Sequence, residues 1–111
     1  MISEISKWRA MWMVVMFDLP VKTKAQKTSY RKFHSFLLNE GFLMMQYSIY
    51  GRHCPTREAA EAKSSRVHRS TPHLGQVRIL RVTEAQFARM EIIENYAPKE
   101  SETVPLALEF W

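Results

Sequence analysis

The stretch Ala10-Met-Trp-Met-Val-Val-Met-Phe-Asp18-Leu-Pro20 holds eight apolar residues in a row, then a carboxylate, then a proline. An unbroken apolar run of this length, rich in β-branched and aromatic side chains, predicts a strand buried on both faces. Leu19-Pro20 ends it, because proline offers no ladder donor and biases the preceding residue away from helix. Asp18 is thereby placed at the carboxyl end of a central strand, on the lip of a sheet. The next charged residues are all basic (Lys22, Lys24, Lys27, Arg31 and Lys32), and no acid follows until Glu40. A fixed carboxylate beside a positive surface suits a divalent cation working on phosphates.

Outward from this strand, the patterning alternates helix and strand. Tyr30, Phe33, Phe36 and Leu37 recur at spacings of three and four, with Lys24, Lys27, Arg31 and Lys32 on the other side, which predicts a helix over roughly 23–40. Gly41 ends it. Residues 42–50 read as extended, with Gln46 marking a kink or tight turn that splits them into two short strands. Pro55-Thr56-Arg57-Glu58 opens a second helix, with proline in its first turn, running to about Arg69. Residues 76–82 read as a strand and Thr83-Glu-Ala-Gln86 as a capped helical turn continuing to Met90. Glu91-Ile-Ile-Glu94 reads as a further short strand.

The order is β-α-β-β-α-β, the ferredoxin-like α+β plan. It gives a domain over residues 10–97, a lead-in over 1–9 and a C-terminal extension over 98–111. Both helices of that plan lie on one face of the sheet, yet the first strand is apolar on both sides. Too little chain remains to cover the second face, so the expectation is a sheet-to-sheet homodimer.

Size and composition narrow the class. At 111 residues with 46% hydrophobic and 24% charged content, the chain fits one folded domain and not a disordered segment. Its longest apolar run falls far short of the roughly 20 residues of a membrane helix. No signal-peptide pattern opens it, and the single cysteine, Cys54, allows no internal disulfide. The reading is a cytoplasmic protein with no membrane association. The net charge of +5 is unevenly spread: residues 22–82 carry twelve Lys/Arg against three acids, while residues 83–111 carry two against six. A basic body suggests a polyanion partner, and the acidic tail a protein contact.

Each candidate has a plainer reading beside it. Asp18 is either a metal ligand, with Mg²⁺ as the cofactor and a second Asp18 approaching across a two-fold axis, or an acceptor of backbone bonds in the turn before Pro20. Lys22, Lys24, Lys27, Arg31, Lys32, Arg52 and Arg57 form candidate nucleic-acid contacts, joined by Lys63, Arg66 and Arg69; the alternative is a solvated basic surface. His34, His53, His68, His73 and Cys54 show no paired metal-ligand spacing, so zinc is set aside. Tyr47 and Tyr50 either stack bases or pack within a strand.

Four segments together resemble the CRISPR-associated protein 2 family, most closely members from type II systems. They are Phe17-Asp18-Leu19-Pro20, the run Leu37-Leu38-Asn39-Glu40-Gly41-Phe42, Gln46-Tyr47-Ser48-Ile49-Tyr50, and Gly75-Gln76-Val77-Arg78-Ile79-Leu80-Arg81-Val82-Thr83. The resemblance implies a ferredoxin-like homodimer that sits between two dimers of the CRISPR-associated integrase (protein 1) during spacer acquisition. Its nucleic-acid partner would be duplex DNA with single-stranded ends, or RNA. The family also implies that Asp18 matches a metal-binding, catalytic aspartate supporting Mg²⁺-dependent endonuclease activity on RNA or DNA. Residues 1–9 and 99–111 find no match in the family pattern, and Leu106-Ala-Leu-Glu-Phe110 suits strand addition to a partner. One rival is a toxin-type ribonuclease of the virulence-associated protein D group, which shares the fold plan and lacks an integrase partner. An RNA-recognition module is the other, but Ser48-Ile-Tyr-Gly-Arg52 lacks its basic-Gly-aromatic signature.

Overall fold

In the computed structural model, which describes residues 9–95, the apolar run forms strand β1 (Met11–Asp18) at an interior position of a four-stranded sheet. Helix α1 (Lys24–Asn39), strands β2 (Leu43–Gln46) and β3 (Ile49–Cys54), helix α2 (Arg57–Arg69), strand β4 (Gln76–Thr83) and the single turn α3 (Glu84–Phe87) follow. The strand order is β2-β3-β1-β4, with every neighbouring pair antiparallel. This is the arrangement the ferredoxin-like plan requires. β1 pairs with β4 from Met11↔Thr83 to Asp18↔Gln76, and with β3 from Met11↔Cys54 to Met16↔Ile49.

Side chains alternate across a strand, so β1 serves two surfaces. Met11, Met13, Val15 and Phe17 enter the core with Phe33 and Leu37 of α1, Ala60 and Val67 of α2, and Phe42, Tyr50 and Cys54. Trp12, Val14, Met16 and Asp18 lie on the opposite face. There Val14 is buried, Trp12 and Met16 are half-buried, and Leu80 of β4 stands 49% exposed. One end of this face is closed by α3: Phe87 stacks on Trp12 at 4.2 Å, and Trp12 Nε1 donates to Glu84 Oε1 at 3.0 Å.

The helix ends follow from local chemistry. Thr23 caps α1 by accepting from the Gln26 N–H at 3.0 Å, while Gln26 Oε1 accepts from the Thr23 N–H at 3.0 Å, a reciprocal capping box. At its other end Gly41, with φ +90°, turns the chain so that Phe42 N–H reaches Leu37 O and Gly41 N–H reaches Leu38 O. That is a Schellman closure.

Residues 42–50 split as expected: β2 ends at Gln46 and a turn follows at Tyr47-Ser48, where Ser48 adopts the left-handed φ of +64° that a tight hairpin demands. Two expectations need correction. Pro55 lies before α2: Thr56 is the cap, accepting from the Ala59 N–H, so proline precedes the first turn. Residues 91–94 are exposed and form no strand, since no neighbouring strand offers them a ladder among the described residues. The lead-in (apart from Arg9), the last residues of the 10–97 domain and the 98–111 tail lie outside the described residues. Among the described residues no helix is long and apolar enough to cross a membrane.

Candidate functional site

Asp18 is the last residue of β1 and is exposed. The residue before it is buried in the core. Phe17 meets Phe33 edge-on at 5.1 Å, Tyr30 edge-on at 5.7 Å and Tyr50 face-on at 5.6 Å, and its N–H donates to Ser48 O at 3.1 Å. Aromatic contacts of this kind add about 0.5–1.5 kcal/mol each beyond simple burial. The carboxylate therefore projects from a rigid stem into solvent, as a ligand or a charge meant for another molecule would.

The strand ladder and the β2–β3 hairpin set its neighbours. Asp18 opposes Gln76, and Arg78 opposes Met16 one step further along the same face. The hairpin tip brings Tyr47 and Ser48 alongside. Together with Met16, Phe17 and Ile49 these residues line an open hollow of about 290 Å³. Arg78 Nη2 donates weakly to Gln76 Oε1 at 3.4 Å, and among the described residues Arg78 makes no ion pair with a carboxylate. Tyr30 Oη and Ser48 Oγ are 3.4 Å apart, and hydrogen bonding to Tyr30 pushes the Tyr47 hydroxyl above its ordinary pKa. The two tyrosines left open by the sequence separate here: Tyr50 is fully buried in the core, whereas Tyr47 is 75% exposed.

As a metal site the hollow is right in kind and short in number. Asp18, Ser48 and Gln76 offer oxygen donors, which Mg²⁺ takes together with water. However, no group of three His, Cys, Asp or Glu side chains able to hold a metal exists among the described residues. The described residues of one chain supply a single carboxylate to the hollow.

The basic candidates divide into three groups. Lys22, Lys24, Lys27, Arg31, Lys32 and Arg57 are all exposed. Arg52 is half-buried, with its side chain packed against Gly41, its Nε buried without a partner and its Nη1 donating to His53 O. Lys63 Nζ and Arg66 Nε bind Glu40 Oε1 at 2.8 and 2.9 Å, so these two cations tie α2 to the end of α1. Hydrogen bonds from Arg66 and then Lys63 lower the Glu40 pKa from 4.5 to about 2, against the opposing effect of burial.

Sequence reading did not single out Ser48, Gln76 or Arg78 for this site, nor Gly75 beside it. The parity of β4 groups Gln76, Arg78 and Leu80 on one face, but only the register against β1 reveals that this face carries Asp18.

Comparison with known proteins agrees with the segments noted above. The family described as CRISPR associated protein Cas2 matches residues 11–90. The chain is 34% identical over 109 residues to the CRISPR-associated endoribonuclease Cas2 of Flavobacterium psychrophilum, covering 98% of this chain and 95% of that one. It is 42% identical over 103 residues to the CRISPR-associated endoribonuclease Cas2 2 of Rhodospirillum rubrum, covering 90% and 92%. Among solved structures it resembles one titled "Crystal structure of cas2", with a TM-score of 0.53 and 17% identity over 80% of this chain and 93% of that one, a likeness of fold.

Proposed function

The chain belongs to the CRISPR-associated Cas2 family, and on that premise we propose that it is a metal-dependent phosphodiester endonuclease serving also as a dimeric, DNA-holding scaffold in spacer acquisition. The observation that carries this reading is the exposed carboxylate of Asp18 on its aromatic-anchored stem, at the lip of a sheet face that the described residues leave largely open.

Two copies stacked on this face would bury Leu80 at its middle and bring their Asp18 residues together across a two-fold axis at its lip, where the hollow opens. That supplies a second carboxylate, and Mg²⁺ commonly takes one or two carboxylates with water and phosphate oxygens. A bound divalent cation supplies an activated water and offsets charge developing on the scissile phosphate. The protein's own part is to hold the two carboxylates still and to keep them open to a strand at the lip. The exposed cations Lys22, Lys24, Lys27, Arg31, Lys32 and Arg57 suit a phosphate backbone, with Arg52 set further back.

As scaffold, the dimer would sit between dimers of the CRISPR-associated integrase and hold duplex DNA with single-stranded ends, or RNA, in the cytoplasm. Residues 98–111 would reach a partner. The family match favours this over a toxin-type ribonuclease. The test is co-purification of the full chain with the integrase and a short duplex bearing single-stranded ends, for wild type and Asp18→Ala. Asp18→Ala is expected to remove Mg²⁺-dependent cleavage and to leave the assembly intact. Failure of the wild-type chain to enter the assembly would end the scaffold reading; cleavage surviving in Asp18→Ala would end the nuclease reading.

A further inference from the structure

Tyr47 is the anomaly of the Asp18 end. Every other described aromatic residue in that region is packed: Phe17, Phe33 and Tyr50 are buried and Tyr30 is half-buried, yet Tyr47 stands 75% exposed at the tip of the β2–β3 hairpin. Its position is fixed, not incidental. Ser48 holds the left-handed turn at φ +64°, its carbonyl accepts the Phe17 N–H at 3.1 Å, and its Oγ lies 3.4 Å from Tyr30 Oη. A non-glycine residue in that backbone region is strained, and such strain persists only where surrounding contacts over-determine it. The tip is thus locked to the stem that carries Asp18.

Opposite Tyr47 across the hollow stands Arg78, exposed, on the same face of the sheet as Asp18 and without a carboxylate partner among the described residues. Among the described residues Asp18 is the only acid lining the hollow. An exposed aromatic ring and an unneutralised guanidinium on either side of a carboxylate match the parts of a nucleotide. The ring offers a stacking platform to a base, the guanidinium pairs with phosphate oxygens, and the cavity of about 290 Å³ approaches the lower end of small-molecule sites.

We propose that Tyr47 and Arg78 hold one unpaired nucleotide in the hollow, the ring stacked on its base and the guanidinium on its flanking phosphate, so that the adjoining phosphodiester meets Asp18. This rests on the nuclease reading and deepens it: it assigns the residues that position the strand and requires a base free of its complement, since a paired base presents no open face to Tyr47. Neither residue takes part in bond breaking.

The test uses a short single-stranded oligonucleotide carrying one 2-aminopurine, titrated with the full chain in buffer containing a chelator, so that binding is read without cleavage. Wild type is expected to quench the probe as the base stacks. Tyr47→Ala is expected to abolish most of the quenching and to weaken binding by roughly 5- to 150-fold, the range for loss of one base–aromatic stack. Tyr47→Phe should bind within about twofold of wild type. Arg78→Ala should retain quenching at saturation, bind more weakly and lower the salt slope by about one. Wild-type binding and cleavage with unchanged Tyr47→Ala and Arg78→Ala variants would overturn this assignment and leave the nuclease reading standing. A shift of Tyr47→Ala from dimer to monomer, without loss of quenching per bound strand, would assign the ring to the subunit interface instead. No binding by folded wild type that still cleaves in Mg²⁺ would likewise overturn this assignment and leave the nuclease reading standing.

Discussion

A Cβ added at Gly75 would lie 2.6 Å from the carbonyl oxygen of Asp18 and 2.9 Å from Leu19 Cδ2, at a backbone φ of +95°. Both obstacles are close to the candidate catalytic carboxylate, and the first is backbone that cannot swing aside. Gly41 is a natural control: its φ is +90°, but the nearest atom to an added Cβ is Arg52 Nε at 3.0 Å, the end of a long side chain. Strain in this backbone region is worth about 1–3 kcal/mol. Gly75→Ala is therefore expected to destabilise by about 2–3 kcal/mol, and Gly41→Ala by about 1–2 kcal/mol, in urea unfolding. At protein concentrations where both variants are folded, only Gly75→Ala should lower Mg²⁺-dependent cleavage, because only that substitution shifts the Asp18 backbone. Equal cleavage by the two would show that Gly75 does not position Asp18. The bearing of Gly75 on Asp18 was not legible in the sequence, because 57 positions separate them in the chain.

At the scale of the element, the link between α1 and α2 runs through Glu40. It closes the C-terminus of α1 and receives Lys63 and Arg66 from α2, and its side chain is only 11% exposed. A folded-state pKa of about 2 against an ordinary 4.5 means that the unfolded chain takes up this proton first as pH falls. The carboxylate thus contributes stability that is fully present above about pH 4.5 and is lost progressively as pH falls towards about 2. Arg66 is half-exposed, so solvent screening reduces the contribution to about 1–2 kcal/mol. Glu40→Gln is expected to lower the urea midpoint at neutral pH and to flatten the stability profile across that acid window. An unchanged slope between pH 4.5 and 2.5 would assign the acid sensitivity elsewhere. The amphipathic pattern of α1 and its closing glycine were readable in advance, because both are local. That two of the basic residues on α2 serve this carboxylate was not, since charge counting cannot tell a paired cation from a free one.

At the scale of the whole molecule, the proposed pairing of two copies turns on the sheet face that the described residues leave open. Leu80 is 49% exposed at its middle, opposite Val14 of β1. A charge there meets solvent in a single chain and a hydrophobic partner in a stacked pair. Leu80→Glu is expected to change the stability of the isolated chain by no more than about 0.5 kcal/mol, as for most surface substitutions. It should convert a dimer into a monomer by sedimentation and abolish cleavage in the same concentration range. A dimer that survives Leu80→Glu would show that the copies meet by another surface. The exposed cations on the helix layer lead to a separate expectation: duplex affinity should fall linearly with the logarithm of salt concentration, with a slope set by the number of phosphates contacted. A flat response would exclude the basic surface as the duplex-holding element.

The sequence by itself determined the order of strands and helices, the central place of β1 and the position of Asp18 at its end. These follow from apolar run length, helical periodicity and the stop at Leu19-Pro20, all of which act between near neighbours in the chain. Only the tertiary structure decided which side chains share the ground around Asp18. The antiparallel register of β4 brings Gln76 and Arg78 there, and the left-handed turn at Ser48 brings Tyr47, because strand pairing and hairpin geometry join residues whose separation in sequence carries no trace of their contact.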